Sequence, residues 1–107
     1  MKVINLDKHD VDICDEYGNV NYTYKASGIV ARISSELNYT GYVDGVPTVT
    51  RQNEKVINLP RQQEGVMYIV SNVVFNHCSD RNDLLAPVNQ VRINGRVVGC
   101  RAFISRR

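Results

Sequence analysis

Residues 90–104 read Gln90-Val91-Arg92-Ile93-Asn94-Gly95-Arg96-Val97-Val98-Gly99-Cys100-Arg101-Ala102-Phe103-Ile104, two strand-like runs on either side of an Asn-Gly pair. Asn-Gly accepts the positive φ angles that a type I′ turn requires, so the segment is expected to close as a tight hairpin. Arg96 then lies opposite Ile93, Val97 opposite Arg92 and Val98 opposite Val91, and alternation sorts the side chains onto two faces. Val91, Ile93, Val98, Cys100, Ala102 and Ile104 make a core face with Arg96 at its tip. The reverse face carries Gln90, Arg92, Val97, Gly99, Arg101 and Phe103. Two arginines, a bare glycine backbone and an aromatic ring suit an anion joined to a planar base. The competing reading is a solvated outer face on which the arginines snorkel.

The same signals recur upstream. Strands are expected at 2–6, 11–15 and 20–24, the latter two joined by the turn sequence Glu16-Tyr17-Gly18-Asn19. Further strands are expected at 29–34 and 36–43, followed by the hairpin signal Asp44-Gly45. Pro47 makes 46–51 an edge or bulged strand, and 55–59 ends at Pro60. The Tyr22/Tyr24 and Tyr39/Tyr42 pairs are expected to line sheet faces. The continuous apolar run at 66–70 reads as a strand buried on both faces. Residues 72–78 form the one convincing helix, about two turns long, and 79–87 an irregular connector. Lys-Val-Ile-Asn-Leu stands at both 2–6 and 55–59, but the matching stops there, so no duplication is inferred.

Composition agrees. Val and Ile number 24 against 9 Leu and Ala, a balance that favours pleated sheet over helix. The expected fold is mainly β: a small single-domain sandwich or barrel-like sheet over 1–107, built from hairpins, with one short helix near 72–78. No apolar run reaches the roughly 20 residues of a membrane helix, and no signal peptide is read at the N-terminus, so a cytoplasmic protein is expected.

Charge is unevenly placed. The net is only +2, which argues against bulk binding to nucleic acid. Residues 1–53 carry 5 basic and 7 acidic groups, whereas 54–107 carry 8 and 4. Arg92, Arg96, Arg101, Arg106 and Arg107 follow Val88 with no carboxylate among them. Arginine outnumbers lysine nine to four, and its planar fork suits phosphate or carboxylate. A second anion candidate lies where the strand at 66–70 feeds the helix, at Ser71 and the backbone N–H groups after it. Nothing Gly-rich precedes it, so neither a P-loop nor a dinucleotide fingerprint is present. Arg81 and Asp83 read first as an ion pair locking the next loop.

Signals for catalysis or metal are weak. Cys14, Cys78 and Cys100 form no C-x-x-C pair and read as reduced, buried thiols. His77 and Cys78 are neighbours that diverge by about 100° on a helix, so they do not converge on one metal or substrate. Asp7, Asp10, Asp12 and Asp15 lack the glycine and terminal glutamate of a calcium loop and read as a solvated edge. No serine-hydrolase or zinc-protease motif occurs, so no catalytic residue, metal or cofactor is expected.

Several segments occur in a telling order: Asn5-Leu6 with His9, Ser27-Gly28-x-Val30-Ala31-Arg32, Tyr68-Ile69-Val70-Ser71, Arg81-x-Asp83-Leu84-Leu85-x-Pro87 and Val91-Arg92-x-x-Gly95-x-Val97-Val98-Gly99-Cys100-Arg101. Together they resemble a family of small proteins of bacteriophages, prophages and actinobacterial genomes whose members begin Asn-Leu-Thr-Pro-His. Asp7-Lys8 replaces Thr-Pro here, which removes the family's N-terminal turn sequence. The resemblance implies a phage setting rather than a reaction. In that setting the expected function is non-enzymatic: sequestering a phosphorylated nucleotide immune signal, of cyclic dinucleotide or cyclic ADP-ribose type, as a homo-oligomer. Arg92 and Arg101 would hold phosphate, Phe103 would stack on the base, and Arg32, Arg81 and Ser71 would assist. The alternatives are an inhibitor docking an edge strand such as 46–51 onto a host defence protein, and a minor structural or DNA-associated phage component.

Overall fold

A computed structural model describes all 107 residues. The fold is mainly β with one short helix and no closed barrel. Its elements are β1 (Lys2–Asn5), β2 (Val11–Cys14), β3 (Val20–Tyr24), β4 (Arg32–Val43), β5 (Val46–Ile57), β6 (Val66–Ile69), α1 (Asn72–His77), β7 (Leu84–Ile93) and β8 (Arg96–Ser105). Six strands form one sheet in the order β1-β6-β7-β8-β2-β3, and β4 and β5 form a separate two-stranded ribbon.

Burial explains the order. The apolar run at β6 lies between β1 and β7, parallel to both, and Tyr68, Ile69 and Val70 are fully buried. A strand covered on both faces has no polar side, which is why this segment lacks alternation. One face of the sheet packs Tyr68, Val70, Leu84 and Ala86 against Leu6, Ala31 and the helix residues Val74, Phe75 and Cys78. The second cluster joins Val11, Ile69 and Cys100, with Tyr24, Leu85 and Phe103 against it. Asn5 is the buried polar staple between segments. Its Nδ2 donates to the carbonyls of His9 and Tyr24, each at 2.9 Å, and its Oδ1 accepts from the Asp7 N–H at 2.8 Å.

The helix forms where expected. Ser71 is the N-cap, its hydroxyl accepting from the Val74 N–H at 3.3 Å. Arg106 reaches back to the other end, donating to the carbonyls of Phe75 at 2.6 Å and Cys78 at 3.3 Å. Its guanidinium also lies 3.9 Å over the Phe75 ring. A cation there satisfies carbonyls that the helix leaves open.

Three expectations are corrected. The separate strands at 29–34 and 36–43 are one strand from Arg32, and those at 46–51 and 55–59 are one strand to Ile57. The polar residues between them, read as breaks, are absorbed by a bulge: register shifts between Ser34 and Glu36, and Asn53 takes φ 54°. The connector at 79–87 ends early because Leu84 and Leu85 pair with Tyr68 and Ile69, which buries their side chains beside the central strand.

The terminal hairpin closes at Asn94-Gly95 with φ 52° and 79°, as its sequence demands. Arg92 faces Val97 and Ile93 faces Arg96, but a bulge at Val91/Arg92 places Val91 opposite Gly99 rather than Val98. The simple two-face division therefore fails: Val91, expected beside Val98 and Cys100 on the core face, lies directly opposite Gly99 of the reverse face. Asn89 takes φ 57° without breaking the strand or its register.

The β4–β5 ribbon leaves the body. Its root packs on the core through the half-buried Ile33 and Val56, and residues 36–40 and 49–55 are exposed throughout. This arm raises the radius of gyration to 16.8 Å, against about 13 Å for a compact chain of 100 residues.

Candidate functional site

The largest concavity, about 520 Å³, lies where the arm leaves the body and not on the terminal hairpin. Asp7 and Lys8, from the loop after β1, form one side. Val30, Ala31 and Arg32 lead into β4, which adds Ile33 and Ser35, while Arg51 and Glu54 come from β5. Ser71, Val73 and Val74 close the far wall from the start of the helix. Main-chain pairing fixes these positions: the Ala31 N–H donates to the Leu6 carbonyl at 3.0 Å, and Ile33 is held opposite Val56.

The electrostatics of the cleft favour an anion. Lys8, Arg32 and Arg51 line it, and none of them has a carboxylate within ion-pair distance, the arginine–carboxylate pair of the chain being Arg81–Asp83. Arg51 is steered by a hydrogen bond of 3.2 Å from Nη1 to the Ser35 hydroxyl. The two carboxylates of the lining have other partners. Asp7 accepts from the Lys8 N–H at 2.8 Å, and Glu54 lies 3.6 Å from His77 Nδ1. The apolar wall of Val30, Ala31, Ile33, Val73 and Val74 offers a flat aliphatic surface beside the cations. Pockets of about 300–1,000 Å³ with an apolar lining and a few convergent polar groups are the usual form of small-ligand sites.

The residues singled out in the sequence are therefore divided. Arg32 and Ser71 meet in the cleft. The Ser71 hydroxyl is occupied by the Val74 N–H, and a helix of six residues is too short to offer a strong terminal dipole, so Ser71 acts as a cap and wall rather than an anion clamp. Arg81 is fully engaged: it donates to both Asp83 oxygens and, at 2.9 Å, to the Pro60 carbonyl. Arg92 and Arg101 are exposed on the hairpin, away from the cleft. Arg92 makes one long contact of 3.5 Å to Gln90. Hydrogen bonds from Asn19 hold the Asp15 carboxylate below its ordinary range, and the nearby charge of Arg101 lowers it further. Phe103 is half-buried, its ring met edge-on by Tyr24 at 5.7 Å, so it is not the free stacking platform the pattern suggested.

Lys8 and Arg51 were not singled out. Nothing in their local sequence marks them, because they meet only through the long-range packing of the β1 loop, the arm and the helix. The thiols contribute no reactive group: Cys14, Cys78 and Cys100 are buried, and desolvation pushes each of them up. No group of three or more His, Cys, Asp or Glu side chains is placed to hold a metal ion, and no helix is long and apolar enough to cross a membrane.

No family model, curated protein or solved structure matches the chain.

Proposed function

We propose that the chain is a non-enzymatic binding protein that takes a small phosphorylated nucleotide into the cleft at the root of the arm. One observation carries this reading: three cationic side chains without carboxylate partners border one concave, partly apolar cavity. Arg32, Arg51 and Lys8 would hold phosphate, since guanidinium forks match its oxygens and an ammonium adds a point charge. The aliphatic wall of Val30, Ile33 and Val73 would receive the base and sugar in place of an aromatic ring.

In the phage setting suggested by the resemblance, such a protein would sequester a cyclic dinucleotide or a cyclic ADP-ribose-type signal and so counteract host defence. The proposed site is the cleft and not the terminal hairpin, and Arg32 is the arginine common to it and to the sequence-based expectation. Calorimetric titration of the full chain with cyclic di-GMP and with cyclic ADP-ribose is the test. Binding tighter than tens of micromolar for one of them, weakened at least about tenfold by Arg32→Ala with Arg51→Ala, is expected, equivalent to about 1.4 kcal/mol. Absence of heat with both ligands at such concentrations overturns the reading.

A further inference from the structure

The arm carries a second surface, which meets the cleft at Arg51 and runs from there toward the turn. Register and alternation divide the ribbon beyond its root into two unlike faces. Leu37 and Arg51, Tyr39 and Val49, and Tyr42 and Pro47 are cross-strand pairs on one face. Asn38 and Thr50, Glu36 and Gln52, and Gly41 and Thr48 pair on the other, where the Thr40 and Thr48 hydroxyls meet at 3.0 Å and Asn38 bonds to Gln52; its apolar part is confined to the Val43–Val46 pair beside the turn. The first face is apolar yet uncovered: Leu37 is 56% exposed, Tyr39 80%, Tyr42 76% and Val49 44%.

A two-stranded ribbon with neither face covered is marginal in water, so an amphipathic one needs a partner for its apolar side. Its edges, by contrast, are protected against strand addition. Pro47 removes a donor from β5, and bulges interrupt the ladder near Thr40 and Ser35. The face rather than the edge is left open.

We infer that this face is a self-association surface, on which the arms of two copies pack face to face and antiparallel about a two-fold axis. Area and charge both favour a second copy. The face presents roughly 500 Å² per chain, taking about 200 Å² for a full tyrosine side chain. Two copies then remove about 1,000 Å² from water, the lower bound for a specific interface. A two-fold arrangement supplies the same apolar face from both sides and needs no other protein. Between Leu37 and Thr50 the sole ionisable side chain other than tyrosine is Asp44, in the turn. Antiparallel packing sets the root of each arm, with Arg51, beside the turn of the other, with its Asp44. Like charges are thereby kept apart.

Sedimentation equilibrium of the full chain at tens of micromolar tests this. The expected mass is twice the 12.1 kDa of one chain. Leu37→Ser with Tyr39→Ser and Tyr42→Ser should shift it to one chain with an unchanged circular dichroism spectrum, whereas Asn38→Ser with Thr50→Ser should leave it at two. A second readout does not depend on that triple variant folding. Val49→Cys should give a disulfide-linked dimer on mild oxidation and Thr50→Cys should not, because the native cysteines are all buried. A wild-type mass of one chain, a mass unaffected by the apolar-face variant, or equal cross-linking from both cysteine positions overturns the inference. Association only with an added host protein does so as well.

Discussion

Arg81 grips Asp83 through two parallel hydrogen bonds, Nε to Oδ1 at 2.8 Å and Nη2 to Oδ2 at 2.7 Å, with the carboxylate side chain only 2% exposed. The pair also ties the loop to Pro60, and the Asp83 carbonyl receives the Tyr68 N–H at 2.9 Å. The ion pair expected to lock this loop is present, and it clasps the central strand instead of leaving Arg81 to assist an anion. Removing one member of a buried pair strands the other, at a cost of about 3–5 kcal/mol. Arg81→Ala should therefore lower Tm by more than about 10 °C, measured by calorimetry, while leaving nucleotide affinity of the remaining folded protein unchanged.

Gly99 is constrained by the parallel pairing of β2 beside β8. A Cβ there would sit 2.6 Å from the Asp12 carbonyl oxygen and closer still to Cys14 Sγ. Backbone cannot give way as a flexible side chain does, so Gly99→Ala should destabilise by about 1–3 kcal/mol. Urea unfolding should show it, and Gly95→Ala, which meets no neighbour, should cost less and act only through its positive φ of 79°.

Ser71 separates capping from binding. Ser71→Ala removes the bond to the Val74 N–H and should cost about 1 kcal/mol, read as a fall in Tm of about 4–8 °C. Its hydroxyl is already engaged, so nucleotide affinity measured by calorimetry should change less than about twofold, unlike that of the Arg32→Ala with Arg51→Ala chain.

Alkaline pH should weaken the fold through its thiols. Burial raises the Cys14, Cys78 and Cys100 pKa values in the folded state, so the unfolded chain loses these protons first. The stabilisation is fully present below the ordinary thiol value, about 8.5. It declines as pH rises from there toward the raised folded values. Urea midpoints taken between pH 7 and 10 should fall, and Cys78→Ala should flatten that fall.

Much of the fold was legible because it is written locally. Asn94-Gly95 and Asp44-Gly45 fix two hairpins through backbone conformations that few other pairs adopt, and Val66–Ile69 announces its double burial by lacking polar residues. Ser71 likewise marks a helix start. What stayed hidden depends on register and distance. A single bulge at Val91/Arg92 undid the face assignment of the terminal hairpin, and the bulge at Asn53 joined runs that composition separates. Arginine looks alike in sequence whether it pairs a buried carboxylate, as Arg81 does, covers helix carbonyls, as Arg106 does, or borders a cleft, as Arg32 and Arg51 do. Only tertiary packing tells these roles apart.

The location of the ligand is the central claim, and amide chemical-shift mapping tests it most directly. The ¹⁵N-labelled full chain would be titrated with the nucleotide that gives heat in calorimetry, or with both cyclic di-GMP and cyclic ADP-ribose if neither does. The cleft predicts saturable shifts confined to residues 7–8, 30–35, 51–54 and 71–74. Shifts centred on Arg92, Arg101 and Phe103, or none with either nucleotide, would contradict it.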